Sequence, residues 1–150
     1  MSVTMQEIRA LLDAEEVDYE GAATMLGPDA LPLLRELADG PDAMLASKAI
    51  YLAGVIGGDG AMPVLEVGAA HDDAVRRVAA ASALARVAEP AAEPLVDRLL
   101  SDDDMGVRKT ALKSAAGFRS EVMQARVQQA ADNDPEPILR DIAARALQER

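Results

Sequence analysis

The chain has 150 residues, of which 50% are apolar and 27% are charged, a composition typical of one folded domain rather than of a disordered segment. It contains no cysteine, which excludes disulfides, thiol nucleophiles and cysteine-bound metal clusters and fits a reducing cytoplasm. A formal net charge of -11 argues against binding to nucleic acid or to an anionic membrane surface, because both are themselves negatively charged.

The first predicted helix runs from Met5 to Glu16. Thr4, followed three residues later by Glu7, is a capping-box pattern, and apolar residues recur behind it at helical spacing. The opening lacks the basic residues and apolar run of a signal peptide, and no apolar stretch approaches the ~18 residues of a membrane span. We therefore expect a cytoplasmic protein. Aromatic residues make up only 2% of the chain against 31 alanines, which favours close-packed helices over β-sheet.

Beyond this helix the chain repeats itself. A shift of 31 residues aligns alanines, prolines two positions later, and aspartates that precede helical segments: Ala30, Ala61 and Ala92; Pro32, Pro63 and Pro94; Asp42, Asp73 and Asp104. A second column, at a step of 32, contains Arg76, Arg108 and Arg140, each preceded by Val75, Val107 or Leu139. We place the extra residue in the turn at 101–104. A fixed period of this length indicates a solenoid of stacked helical hairpins.

Helix-capping residues and prolines divide the repeat into hairpins. Asp42, Asp73 or Asp134 is placed to cap a first helix, and Pro63 and Pro94 lie near the first turn of a second helix. We predict a single domain of four paired units followed by a lone terminal helix: units at about 17–40, 41–71, 72–102 and 103–132, and the helix at 135–148.

The residues of the third unit resemble a known repeat. The string Asp-Asp-Ala-Val-Arg-Arg-Val-Ala-Ala-Ala-Ser-Ala-Leu at 72–84, continued by Ala-Glu-Pro-Leu-Val at 92–96, resembles the HEAT repeat in its short bacterial and archaeal, phycobilisome-lyase form. Ala-Gly-Val-Ile-Gly-Gly-Asp at 53–59 also fits, whereas Leu45-Ala46 departs from the usual Val-Arg pair. The resemblance implies an all-α, armadillo-like fold: a right-handed α-solenoid of about four helical hairpins with an N-terminal helix and a terminal half-repeat. It does not fix a function.

Few residues offer chemistry. The single histidine, His71, precedes two aspartates, and we interpret it as solvent-exposed or bonded to a helix-end carbonyl rather than as a metal ligand. Gly54, Gly57, Gly58 and Gly60 lack the strand and the lysine of a phosphate-binding loop, so we interpret them as a tight turn between helices. The arginine column near the aspartate turns is interpreted as a ladder of Asp-Arg contacts between neighbouring repeats, worth ~0 to 1 kcal/mol per exposed pair.

The enzymes that resemble this fold make demands that the sequence does not meet. HEAT-like deoxyhypusine hydroxylases need several His-Glu pairs for a di-iron site, and HEAT-like alkylpurine DNA glycosylases need a basic, aromatic face. A phycobilin-lyase-like or other ligand-handling role is the remaining alternative, although the chain has no cysteine and few aromatic residues to engage a pigment. We predict that the chain is not an enzyme and has no metal site and no cofactor.

The negative charge is concentrated at one end. Residues 1–75 carry 14 acidic and 3 basic residues, whereas residues 76–150 carry 12 of each. The run at 13–20 crowds five acids into eight residues and is a candidate for recognition of a basic partner, whereas helix capping explains Asp102, Asp103 and Asp104. We therefore expect the N-terminal repeats to meet a basic protein surface, with no nucleic acid or membrane as partner.

In HEAT solenoids the second helices line the concave face, and the repeat predicts which side chains share it. The predicted partner-binding residues are Arg35, Glu36, Asp39, Glu66, Val67, Asp97, Arg98, Gln128 and Gln129. The leading hypothesis is a non-enzymatic protein-protein interaction module or scaffold. Within this class, the terminal helix with Ile138, Leu139, Ile142 and Leu147 is the candidate for homodimerisation if its apolar stripe is exposed; otherwise the chain is a monomer.

Overall fold

The computed structural model describes residues 2–149, which contain ten α-helices and no β-strand. Two single turns of 3-10 helix, Pro28–Ala30 and Leu84–Arg86, accompany them. The α-helices are α1 Met5–Leu12, α2 Tyr19–Leu26, α3 Leu31–Ala38, α4 Ala43–Ile56, α5 Ala61–Ala70, α6 Ala74–Ala83, α7 Glu89–Leu99, α8 Met105–Ala116, α9 Glu121–Asn133 and α10 Pro137–Gln148.

The helices form two parallel rows. Helices α2, α4, α6, α8 and α10 pack against one another in sequence, and the second row consists of α3, α5, α7 and α9. Helices α4, α6 and α8 of the first row also pack on the helices that follow them, α5, α7 and α9, and α1 lies on α4. This is the all-α solenoid that the repeat predicted. We call the surface formed by α3, α5, α7 and α9 the second-helix face.

Small residues set the distance between neighbouring helices. Ala30, Ala61 and Ala92 are fully buried, and each lies at or near the start of the second helix of its hairpin. A methyl group added at Gly54 in α4 would lie 2.8 Å from the Cβ atom of Ala83 in α6, so the two helices touch through their backbones. The alanine content therefore follows from close packing between repeats rather than from helix propensity alone.

Aspartates cap the first helices as predicted. Asp42, Asp73 and Asp104 accept hydrogen bonds from the backbone N–H groups of residues two or three positions later, at 3.1, 2.8 and 3.0 Å. Thr4 accepts from the N–H of Glu7 at the start of α1, which confirms that cap. The assignment of Asp134 was wrong, because α10 begins after Glu136 and the Asp134 carboxylate instead accepts from the Glu136 N–H at 2.9 Å.

Two predicted helix boundaries were also wrong. Helix α1 ends at Leu12 rather than Glu16, because the following acidic residues are exposed and Lys48 donates a hydrogen bond to the Leu12 carbonyl at 2.9 Å. Pro94 lies in the middle of α7 rather than in its first turn. The helix tolerates it because the ring is exposed and the carbonyl that loses a partner, that of Pro90, belongs to an exposed residue.

The arginine register inferred from the sequence needs a correction. Counting from the residue that precedes each first helix, Arg77, Arg108 and Arg140 are equivalent, because each lies four positions after Asp73, Asp104 or Glu136. We call these three the turn arginines. Arg76 instead occupies the buried column that holds Leu45, Val107 and Leu139, and it is only 4% exposed. The extra residue therefore lies between Asp104 and Glu136, not in the turn at 101–104.

Candidate protein-binding face

The structure places all nine predicted partner-binding residues on the second-helix face or directly after one of its helices. Arg35, Glu36 and Asp39 belong to α3 and its C-terminus, and Glu66 and Val67 to α5. Asp97 and Arg98 lie on α7, and Gln128 and Gln129 lie on α9. Eight of the nine are exposed and Val67 is half-buried, but they divide into two groups with different surroundings.

The first group surrounds a groove between α3 and α5, which we call the α3–α5 groove. It has a volume of about 920 Å³ and brings together Arg35, Glu36, Asp39 and Val67. Glu66 does not line it. Sequence reasoning missed the other walls, which come from the first turns of the two helices and the segments before them: Pro28, Leu31, Pro32, Gly57, Gly58, Asp59, Gly60, Pro63 and Val64. The repeated prolines of α3 and α5, recognised only as helix-start residues, were the available signal for these walls.

The carboxylates of the α3–α5 groove have no internal partner. Within residues 2–149, no ion pair or side-chain hydrogen bond involves Glu36, Asp39 or Asp59. Among the described residues that line the groove, Arg35 is the only basic one, and its guanidinium is likewise unpaired. The groove therefore combines an apolar wall with a rim that is net negative.

The loop before α5 adds backbone donors to the same groove. Gly57 and Gly58 have φ angles of 72° and 77°, a left-handed conformation that glycine adopts without strain. Helix α4 ends where the Gly57 N–H donates a hydrogen bond to the Ala53 carbonyl. The Ala61 N–H donates to the Gly58 carbonyl. In the described part of the chain, the intervening N–H groups of residues 58–60 have no backbone acceptor. The glycines thus form the predicted tight turn, and they leave donors facing solvent.

The second group, on α7 and α9, is bonded within the protein. Arg126 of α9 donates to the Asp97 carboxylate at 2.6 Å and to the Ser101 hydroxyl at 3.0 Å, and it also binds the Gln129 side chain. Gln128 donates to Asp132 at 3.0 Å. Sequence reasoning missed Arg126, because its partners lie about one repeat away on another helix. Of the second group, Arg98 alone has no side-chain partner among residues 2–149.

The turn arginines join neighbouring repeats, which confirms the predicted Asp-Arg ladder with Arg77 in place of Arg76. Arg77 binds the Asp102 carboxylate at 2.9 Å and the carbonyls of His71 and Asp72 at 2.9 and 2.8 Å. The hydrogen bond to Asp102 raises the pKa of the Arg77 guanidinium above its ordinary value, although burial opposes this rise. Arg108 repeats the arrangement one unit later, with the Asp134 carboxylate at 3.1 Å.

His71 has a structural role in one of these turns. Its Nδ1 atom accepts a hydrogen bond from the Asp73 N–H at 3.1 Å, as the Asp102 carboxylate does from the Asp104 N–H at 2.9 Å. The His71 side chain is half-buried, and it bonds a backbone N–H group rather than the helix-end carbonyl that we expected. No group of three or more histidine, aspartate or glutamate side chains in the described range is arranged to hold a metal ion.

The acidic run at 13–20 is partly used within the protein. Asp18 caps α2 by accepting from the Gly21 N–H at 3.0 Å, and Glu20 pairs with Arg86 of the third unit. Asp13, Glu15 and Glu16 are exposed, and their side chains bond no other side chain within residues 2–149. This turn lies outside the α3–α5 groove and forms a separate acidic surface.

The terminal helix leaves little apolar surface for a second copy. Leu139 and Ala143 of α10 are fully buried, and Ile142 and Leu147 pack partly buried against the core. Ile138 is 52% exposed. Homodimerisation through α10 stays a prediction, and sedimentation at several concentrations would test it: a species that remains monomeric throughout would contradict it.

Two stacked rows of antiparallel helical hairpins, each buried only against its neighbours, define a helical repeat scaffold. A profile of the HEAT repeats matches residues 63–148, which is more than half of the chain. The chain therefore belongs to the HEAT-repeat family. No helix within residues 2–149 is long and apolar enough to cross a membrane.

Solved structures show the same fold. The complex of CpcE and CpcF of phycocyanin lyase from Nostoc sp. PCC7120 is similar with a TM-score of 0.76 and 18% identity, covering 95% of this chain and 97% of that one. Human deoxyhypusine hydroxylase, solved in complex with glycerol, is similar with a TM-score of 0.68 and 23% identity, covering 79% of this chain. This chain spans only 42% of the human enzyme. No curated protein matches by sequence. At these identities the likeness concerns the fold alone.

Proposed function

We propose that the chain is a non-enzymatic protein-interaction module that binds a basic surface of a partner protein through its second-helix face, the concave face of the predicted solenoid. The observation that carries the proposal is the ring of unpaired carboxylates, Glu36, Asp39 and Asp59, around an apolar groove. A charged rim around an apolar centre is the usual anatomy of a protein-protein interface.

The distribution of charge supports a basic partner. Residues 1–75 carry the entire net charge of -11, and the groove lies within them. Opposite charges on two partners accelerate association and select against acidic competitors, and both effects weaken with salt. We therefore expect the complex to form more slowly and bind less tightly as the NaCl concentration rises.

The non-enzymatic part of the proposal rests on how the polar side chains are used. His71 bonds the backbone of its own turn, and Arg77 and Arg108 bind carboxylates and carbonyls of neighbouring turns. Side chains in such roles order the backbone rather than act on a substrate. The proposal includes no pigment site, so adding the protein to a bilin should leave the absorbance spectrum of the bilin unchanged.

Affinity capture followed by quantitative mass spectrometry tests the module. The variant Glu36→Lys/Asp39→Lys/Glu66→Lys reverses three exposed charges on the second-helix face and should lose the basic partners that the wild type retains. The matched variant Asp13→Lys/Glu15→Lys/Glu16→Lys makes the same change in net charge on the separate acidic turn. An unchanged partner set in the first variant would overturn the proposal, and loss in the second alone would move the site to the acidic turn.

A further inference from the structure

The α3–α5 groove offers three kinds of contact at once. Its accessible apolar wall consists of the exposed Pro28, Pro32 and Pro63 and the half-buried Val67, with Leu31 and Val64 buried beneath them. Its rim carries the unpaired carboxylates of Glu36, Asp39 and Asp59, and the loop at 58–60 presents N–H groups without a backbone acceptor. A flat protein surface could pair only with the charged rim. A chain that enters the groove can also contact the apolar wall and accept hydrogen bonds from the loop N–H groups.

We infer that the α3–α5 groove binds a short extended peptide segment of the partner, with an aliphatic side chain flanked by lysine or arginine. This inference rests on the proposed function and specifies its site and ligand class. The aliphatic side chain lies against Pro32, Pro63 and Val67, the flanking cations pair with the rim carboxylates, and the N–H groups of the 58–60 loop donate to the peptide carbonyls.

The chemistry of the groove distinguishes a peptide from other ligands. A nucleotide or a phospholipid headgroup brings phosphate, which three carboxylates against one arginine repel. A wholly apolar ligand would leave the loop N–H groups and the carboxylates without new partners. A basic peptide satisfies all three kinds of contact, and a volume of about 920 Å³ lies in the range of sites that enclose several side chains.

The rest of the second-helix face does not offer the same site. Asp97, the acidic residue that the repeat places in line with Glu66, is bound by Arg126 at 2.6 Å. A peptide cation there would have to displace an internal guanidinium that also bonds Ser101 and Gln129. Binding should therefore be confined to the first two hairpins.

Amide chemical shifts of the full chain provide a direct test, since the chain is only 15.8 kDa. The probe is the blocked peptide Lys-Leu-Lys-Leu-Arg, with Lys-Ser-Lys-Ser-Arg and Glu-Leu-Glu-Leu-Glu as controls. Gly58 and Gly60 report on the groove, whereas Gly106 and Gly117 lie on α8 and after it, outside the groove. The first peptide should give saturable shifts at Gly58 and Gly60 and none at the distant pair, and the two controls should give at most weak, unsaturable shifts.

Two double charge-reversal variants distinguish binding in the α3–α5 groove from general electrostatic attraction between a basic peptide and an acidic protein. Glu36→Lys/Asp39→Lys should weaken binding of the probe peptide about tenfold, because two attractive pairs are replaced by repulsion. Asp141→Lys/Glu149→Lys changes net charge equally at exposed positions of the last helix and should weaken it less than twofold. Both variants should keep the circular dichroism spectrum and melting temperature of the wild type, which shows that the fold is intact.

Three results would overturn the inference: equal weakening by the two pairs, equal shifts with the serine peptide, or shifts that centre on Gly106 and Gly117. The outcome for the proposed function is separate. If protein partners are captured by the wild type and lost from the second-helix variant while no peptide binds the groove, the module stands and its ligand is a folded surface. If the peptide binds and capture is unaffected by that variant, the groove stands and the module as proposed fails.

Discussion

The N-terminal and C-terminal repeats are built on the same hairpin but use their charges differently. Around α3 and α5, the acids Glu36, Asp39 and Asp59 have no partner in the described chain. From α6 onward, carboxylates bind arginines of the preceding repeat, as in Arg77 with Asp102 and Arg108 with Asp134. The same scaffold therefore leaves acidic side chains exposed and unpaired in one half and pairs them with arginines of neighbouring repeats in the other.

The difference follows from two positions in each turn. Four residues after the N-cap, α4 has Ala46 where α6 and α8 have Arg77 and Arg108. Two residues before the N-cap that follows, the chain has His71 after Ala46 but Asp102 and Asp134 after the arginines. Each arginine is therefore matched by an aspartate in the next turn, and the alanine is matched by a neutral hydrogen-bond acceptor. The turn before α6 therefore lacks the arginine–aspartate pair that the later turns have.

Arg76 connects the two halves. From α6 it donates to the carbonyl of Ala38, the last residue of α3, at 2.9 Å, and its Nε atom lies 3.4 Å from the Asp73 carboxylate. The geometry at Nε is too poor for a hydrogen bond, so that atom is buried without one. The buried charge nevertheless holds the C-terminal end of α3, where Asp39 begins the rim of the α3–α5 groove.

The largest effect is expected from Arg76→Ala. It removes a buried side chain and leaves the Ala38 carbonyl without its donor, so the free energy of unfolding should fall by about 2 to 4 kcal/mol. Arg76→Leu introduces the residue type found at this column in α4 and α10 and should cost less, because an apolar replacement of a buried charge is often tolerated. Urea denaturation measures both, and an equal loss in the two variants would contradict the role of packing.

A smaller loss is expected from Arg108→Ala in the C-terminal half. Arg108 and Asp134 have side chains only 12% and 8% exposed, so breaking their contact should lower the free energy of unfolding by about 1 to 2 kcal/mol. Arg35→Ala in the N-terminal half removes an exposed arginine without a partner and should change stability by less than about 0.5 kcal/mol. Equal effects at the two sites would break the contrast between the halves.

Relieving the repulsion in the N-terminal half should stabilise the protein slightly. Glu15→Lys/Glu16→Lys reverses two exposed, unpaired acids in the half that carries the net charge, and we expect a gain of about 0.3 to 1 kcal/mol at low salt. Melting temperatures in low and high NaCl would measure it, because screening should shrink the difference. A gain that persists unchanged in high salt would show that the cause is not charge repulsion.

The smallest effect concerns alkaline pH and the N-terminal half. Tyr19 of α2 packs edge-to-face on Tyr51 of α4 at a ring distance of 4.8 Å, and burial, with a smaller contribution from Tyr51, raises its pKa above 10.0. Because the folded-state pKa is the higher one, its contribution to stability is complete below pH 10 and declines as the pH rises through the folded-state value. Tyr19→Phe should flatten the fall in stability between about pH 9 and 11, measured by urea denaturation. An identical fall in wild type and variant would contradict this.

The features that the sequence predicted correctly depend on local chemistry. Asp42, Asp73 and Asp104 lie at the ends of apolar periodicity, and a side chain can bond an N–H group two or three residues away whatever the rest of the fold does. The α3–α5 groove was predicted only on its helical side, through Glu36 and its neighbours. Pro28 and Asp59 lie one 31-residue period apart in the segments before α3 and α5, but the repeat alone does not show that these segments border the same groove.

The sequence by itself determined that the chain is a helical solenoid, because a 31-residue period with capped, apolar helices can bury its surface only by stacking. The tertiary structure alone decided which charges are free. Arg76 and Arg77 are adjacent in sequence, yet one points into the core and the other across a turn, because a helix rotates about 100° per residue. Whether a carboxylate meets an arginine therefore depends on the packing of the next repeat, and in this protein that packing leaves Glu36, Asp39 and Asp59 without an arginine partner in the described chain.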